Sequence, residues 1–146
     1  MSPSDTSLNR TMMKDRVFLD IAVRLGELGT CSRAQVGCVI TRQGRCVSWG
    51  YNGAPPGLPH CNHMPNDDTP CMIATHAEAN ALLFAARQGI STEGGTLYVE
   101  RSPCYACARL IIAAGIARVV YSVPYRDESG IFLLKQANIK TEVLSG

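Results

Sequence analysis

The pattern along the chain predicts an α/β protein: three layers, α/β/α, around a five-stranded mixed sheet. Three observations carry this. Two strand-like runs flank a tight turn near residue 43, as a hairpin does. The second half alternates helix and strand, which favours parallel pairing through crossover helices. The length of 146 residues, with 46% hydrophobic and 18% charged, suits a buried core in a single domain spanning 1–146.

The elements follow in order. Residues 1–12 are polar and aperiodic, which predicts a flexible arm. From Lys14 to Leu28, Val17, Ile21, Leu25 and Leu28 recur at helical spacing, with Phe18 and Ala22 widening the stripe. Val36 to Thr41 and Cys46 to Tyr51 read as hairpin strands around Arg42-Gln43-Gly44-Arg45. Residues 54–75 hold prolines, asparagines, cysteines and histidines and predict an insertion loop without a core of its own. Ala77 to Gln88 is a helix ending at Gly89, and Thr96 to Glu100 a strand. Cys104 to Ala114 is a helix, Arg118 to Ser122 a strand, Glu128 to Asn138 a helix and Ile139 to Leu144 a strand.

Composition narrows the class. A net charge of +2 and the lack of any dense Lys/Arg run argue against a nucleic-acid polymer as partner. No stretch is apolar and long enough to span a membrane. Seven cysteines is an odd, high count, and Met1 to Arg16 lacks the apolar centre of a secretory leader. Metal-bound thiols in a reducing cytoplasm (the host's, were the chain viral) fit better than disulfides.

The chemistry gathers at His76-Ala77-Glu78 and Pro103-Cys104-Tyr105-Ala106-Cys107. H-x-E followed by P-C-x-x-C is a signature of zinc nucleobase deaminases. One imidazole and two thiolates make a three-ligand zinc site with one position open to water. His76, Cys104 and Cys107 all fall at predicted helix starts, where the dipole favours thiolate. Glu78, two residues past His76, can move protons beside the ion without ligating it. The plain alternative is two buried cysteines and a loop histidine, or a redox C-x-x-C. A non-catalytic zinc module is a third reading, but it has no need of Glu78.

These segments resemble the cytidine and deoxycytidylate deaminase superfamily. Gly50-Tyr51-Asn52-Gly53-Ala54-Pro55, Cys31 to Gly37, His76 to Ala81, Ser102 to Cys107 and Tyr125-Arg126-Asp127 carry the likeness over nearly the whole chain. Gly-Tyr-Asn-Gly and the Cys- and His-bearing insertion point to its deoxycytidylate (dCMP) deaminase branch. The resemblance implies a cytidine-deaminase-like fold and hydrolysis of dCMP at C4 to dUMP and ammonia, supplying thymidylate synthesis. The alternative is another modified or ribo cytosine nucleotide. It also implies a proton shuttle by Glu78 from water to N3 and then to the leaving amino group.

Other expectations are finer. Asn52 is expected at base or sugar, since an amide donates and accepts, although Asn before Gly53 also suits a plain turn. Arg33 is expected at phosphate and Tyr125 as a pocket wall, against a solvated arginine and ordinary packing. Cys31, Cys61 and Cys71, with His63 or His60, would fill a closed structural zinc site holding the insertion. His63 is preferred because His60 adjoins Cys61 and neighbouring ligands are awkward. Cys38 and Cys46 read as buried thiols without chemistry. The resemblance further implies a hexamer and dCTP or dTTP as effectors, accompanied by Mg2+. Gly53 would lie in the effector loop, and Phe84 and Arg87 at a subunit contact, against one core aromatic and one surface arginine.

Overall fold

The computed structural model describes residues 3–31, 35–61 and 74–145, with side chains from residue 7 onward. The order is α1 (Pro3–Gly26), β1 (Gly37–Arg42), β2 (Arg45–Tyr51), α2 (Ala77–Arg87), β3 (Thr96–Val99), α3 (Tyr105–Ala113), β4 (Arg118–Tyr121), α4 (Ser129–Gln136) and β5 (Lys140–Val143). The sheet runs β2-β1-β3-β4-β5. Strand β1 is antiparallel to both β2 and β3, while β3, β4 and β5 pair in parallel. Two antiparallel steps in succession restore direction. Strands β2 through β5 therefore end at one edge of the sheet, and α2 and α3 start there.

Alternation along the strands sorts the core into two layers. Cys38, Ile40, Leu97, Val99, Val119 and Tyr121 meet the helices α2, α3 and α4 on one face. Val39, Tyr98 and Val120 meet Leu19 and Ala22 of α1 on the other. The mixed sheet and three-layer arrangement match the sequence expectation, with three helices on one side and one on the other.

Three local expectations need correction. The polar residues expected as a flexible arm belong to α1, which starts at Pro3. Proline is tolerated in a first helical turn, where its missing N–H has no intrahelical acceptor. Residues 7–14 are exposed, so this stretch needed no periodic apolar pattern to be helical.

The buried stripe of α1 is also rotated from the expected one. Leu19 and Ala22 are buried, with Phe18 and Leu25 packed beside them, whereas Val17 is 54% and Leu28 55% exposed. The reason is Asp15. Its buried carboxylate accepts the Tyr98 hydroxyl at 2.7 Å and a second bond from Arg118 Nη1 at 2.9 Å. Arg118 Nη2 also bonds both Asp15 and Glu142. A buried acid needs such partners, so the helix turns that face inward.

Cys46 is exposed, not buried, while Cys38 is fully buried. A register shift between Ile40 and Thr41 sets Thr41 opposite Cys46, although Ile40 pairs with Ser48. The extra residue moves Cys46 off the face that Ser48 shares with α2. No helix among the described residues is long and apolar enough to cross a membrane.

The Asp15–Arg118–Glu142 cluster fastens α1 to β4 and β5, and Arg118 holds the Glu142 carboxyl below its ordinary range. Arg118→Met should cost about 3 kcal/mol in urea unfolding at pH 7, because Asp15 is left buried without its cation. The share due to Glu142 is present above the ordinary carboxylate pKa. It fades as pH falls through the lowered folded value, so the penalty of the substitution should shrink in acid.

Candidate active site

Two strand-to-helix corners build the site. At the first, β2 leads to α2, whose N-cap is His76. Gly50 lets the two backbones touch: a Cβ there would lie 2.7 Å from Ala81 N and 2.9 Å from Ala77 O. The buried Ser48 hydroxyl donates to Ala81 O at 2.6 Å. Asn80 Nδ2 donates to Tyr51 O at 2.6 Å and to Thr75 O at 3.3 Å, so the start of α2 is tied to the strand end. Gly53 and Thr75 exchange both backbone hydrogen bonds, at 3.1 and 2.7 Å, and pinch the insertion at its base.

At the second corner β3 leads to α3, whose N-cap is Cys104. Pro103 is fully buried there. The first turn of α4 presses on this corner through Gly130. A Cβ on Gly130 would come within 2.2 Å of Pro103 O and 2.8 Å of Cys104 C. Ser102 accepts the Tyr125 N–H on its hydroxyl at 2.6 Å and donates its own N–H to Val123 O at 3.0 Å.

The corners bring His76, Cys104 and Cys107 together. His76 Nδ1 lies 3.3 Å from Cys107 Sγ and 3.6 Å from Cys104 Sγ. All three ligand atoms fall within 4.8 Å of one another. A tetrahedral zinc with ordinary Zn–S and Zn–N lengths sets N···S separations of about 3.5 Å, so the donor set fits that ion. The sulfurs share a proton unequally. A hydrogen bond from Cys107, then one with His76, brings the Cys104 thiol down to about 4. Holding that proton for Cys104, together with burial, pushes Cys107 up.

Glu78 is buried beside these groups. Burial raises its carboxyl above the ordinary carboxylate range. A buried carboxyl beside a candidate metal-ligand set is in the setting of a group that moves protons.

The remaining expected residues fall as follows. Asn52 is buried, its amide oxygen accepting the Val36 N–H at 2.8 Å, so it braces the chain entering β1. Tyr125 is half-buried in the loop after β4. Cys31 and Cys61 are both buried, and Cys61 Sγ lies 3.9 Å from the carbonyl of Thr30, the neighbour of Cys31. His60 is exposed. Arg33, His63 and Cys71 lie outside the described residues. Gly53 is buried with its N–H and carbonyl both bonded to Thr75. Phe84 is 51% exposed and is thus no core aromatic, and Arg87 is exposed one turn on.

Sequence reasoning assigned no role to Ser48, Asn80, Ser102 or Gly130. Ser102 and Asn80 stand inside the motifs, where a polar residue next to ligands was the available signal. Ser48 and Gly130 carried none, because their partners are set by tertiary packing.

Comparison with known proteins gives consistent results. The family model described as the cytidine and deoxycytidylate deaminase zinc-binding region matches residues 12–123. The deoxycytidylate deaminase of Mycobacterium phage D29 is 43% identical over 121 residues, covering 73% of this chain and 92% of the phage protein. That of Saccharomyces cerevisiae is 36% identical over 140 residues, covering 90% of this chain and 45% of the yeast protein. Among solved structures, the dCMP deaminase of cyanophage S-TIM5 in complex with dCMP and dUMP superposes with a TM-score of 0.82. It is 28% identical, and 99% of each chain is covered.

Gly130→Ala should push Pro103 and Cys104 apart from α4. The expected outcome is a loss of about 1–3 kcal/mol in chemical unfolding and faster release of bound metal to a chelator. Unchanged stability and metal retention would mean that α4 does not brace this corner.

Proposed function

The chain belongs to the cytidine and deoxycytidylate deaminase family, and from that premise we propose that it hydrolyses dCMP to dUMP and ammonia. The observation that carries this is the meeting of His76, Cys104 and Cys107 at two helix starts, with the buried Glu78 two residues from the histidine. The dCMP-bound relative from cyanophage S-TIM5, alike over nearly its whole length, supports the choice of nucleotide.

His76, Cys104 and Cys107 would hold zinc, which when bound lowers the pKa of water and so supplies a nucleophile at neutral pH. Glu78 takes the proton from the attacking water and passes it to N3 of the pyrimidine. It then takes the second proton, from the hydroxyl added at C4, and passes it to the departing amino group, so the C4–N bond breaks, C4=O forms, water is consumed and ammonia leaves. Burial suits this work, because it raises the carboxyl and so favours its taking up a proton. Asn52, Arg33 and Tyr125 are assigned to the nucleotide. Asn52 stands at the end of β2 and Tyr125 after β4, both on the sheet edge where α2 and α3 begin. Ligands of α/β sheets gather at such edges.

The reading extends to the rest of the molecule. Cys31, Cys61, Cys71 and His63 are assigned to a second, structural zinc, supported by the burial of Cys31 and Cys61. The exposed Phe84 and Arg87 are assigned to a subunit contact in a hexamer. The loop from Gly53 is assigned to dCTP or dTTP with Mg2+, and the compartment to the cytoplasm.

Two measurements test this. Glu78→Gln should keep its zinc and lose kcat by on the order of 10²–10⁴ when ammonia release from dCMP is followed beside CMP, deoxycytidine and dCTP. Turnover that persists in the variant removes the role given to Glu78, and preference for another nucleotide removes dCMP. Elemental analysis of the purified protein should give two zinc ions per chain. One ion, unaffected by Cys61→Ser, rejects the structural site.

A further inference from the structure

Ser102 lies in neither set of assigned residues, yet it is the covalent and hydrogen-bonded link between them. It is buried, one residue before Pro103 and two before Cys104. Beyond the ends of β3 and β4 the two chains stay in parallel register. Ser122 N and Val123 N both donate to Glu100 O, at 3.0 and 2.8 Å, and Ser102 N donates to Val123 O at 3.0 Å. Arg101 and Val123 form an isolated parallel bridge.

After Val123 the backbone ladder cannot continue. Pro103 follows Ser102 and offers no N–H, and Pro124 follows Val123 with the same defect. At that point a side chain takes over. The Ser102 hydroxyl accepts the Tyr125 N–H at 2.6 Å, where two prolines have removed the usual donors. It connects the post-β4 loop to the metal corner before α4 begins.

We propose that the Ser102 hydroxyl is a positioning group for the nucleotide: it anchors Tyr125 N–H and so fixes the wall that the post-β4 loop sets beside Cys104. The inference rests on the deamination reading. Ser102 touches no reacting atom in this account and acts through Tyr125. Its loss should therefore weaken nucleotide binding and leave the metal and the proton transfer by Glu78 in place.

The test is a double-mutant cycle on the zinc-loaded protein, read as zinc per chain, kcat and KM for dCMP. Ser102→Ala should keep its zinc and hold kcat within about threefold. It should raise KM about tenfold, the scale expected when an N–H loses its buried partner. In a Tyr125→Ala background the same substitution should change KM by less than about twofold, because the group it acts through is gone. Equal KM penalties in both backgrounds, or zinc lost from Ser102→Ala, overturn the inference.

Amide hydrogen exchange supplies a readout independent of turnover and of the variants' folding. In the unaltered protein the Tyr125 amide should exchange at least about tenfold more slowly than an open loop amide. Exchange at the open-loop rate removes the anchor. Failure of the unaltered protein to turn over dCMP sinks the deamination reading and this inference with it. Turnover with an additive cycle sinks the inference alone.

Discussion

Strand direction is the constraint on which the site depends. Strand β1 pairs antiparallel on both sides, so β2 and β3 point the same way while standing one strand apart. The helices that follow them start at the same sheet edge. There the local bonds at each corner bring His76 within 3.6 Å of both sulfurs across a separation of about thirty residues in sequence. Had β1 paired in parallel with β3, α2 and α3 would begin at opposite edges. The same sequence motifs would then hold no ion in common.

The helices α2 and α3 were legible because their signals are local: alanine- and leucine-rich runs with glycine after each. The ligand set was legible because its spacing is fixed by chemistry. Helix α1 was read as a helix with Phe18, Ala22 and Leu25 inward, but its start and the rest of its stripe were missed, and the cause is specific. Its true inward stripe passes through Asp15, an acid that any apolar template scores as outward. What turns Asp15 inward is Arg118, more than a hundred residues later, together with the Tyr98 hydroxyl. The face of Cys46 was misjudged for a similar reason. Alternation fails at a bulge, and nothing in the residues around Val47 announces one.

Both layers beside the sheet bring backbone against backbone. On the α2–α4 side, backbone meets backbone at Gly50 and Gly130, and small residues such as Ala77, Ala81 and Ala108 fill the space. Close approach of this sort leaves little room for displacement, which suits elements that must hold three donor atoms to fractions of an ångström. On the α1 side Gly37 of β1 allows the same approach, since a Cβ there would lie 2.0 Å from Ala22 O of α1, and a charged cluster and an apolar layer around Phe18 and Tyr98 add to it.

The helix caps show what the site gives up. His76 and Cys104 both occupy N-cap positions with extended backbone, and neither makes a side-chain capping bond. Serine, threonine, aspartate or asparagine at each place would add about 1 kcal/mol. Such a residue would, however, turn its side chain back onto the helix and leave no imidazole or thiolate aimed outward. Stabilisation has to come from elsewhere, and the neighbouring polar bonds supply it. Asn80 and Ser48 hold the start of α2, while Ser102 holds the approach to α3. These are the residues to which the sequence motifs alone assigned no task. They make sense once both helix starts are seen to lack caps of their own, because a ligand cannot also serve as the cap of the helix that presents it.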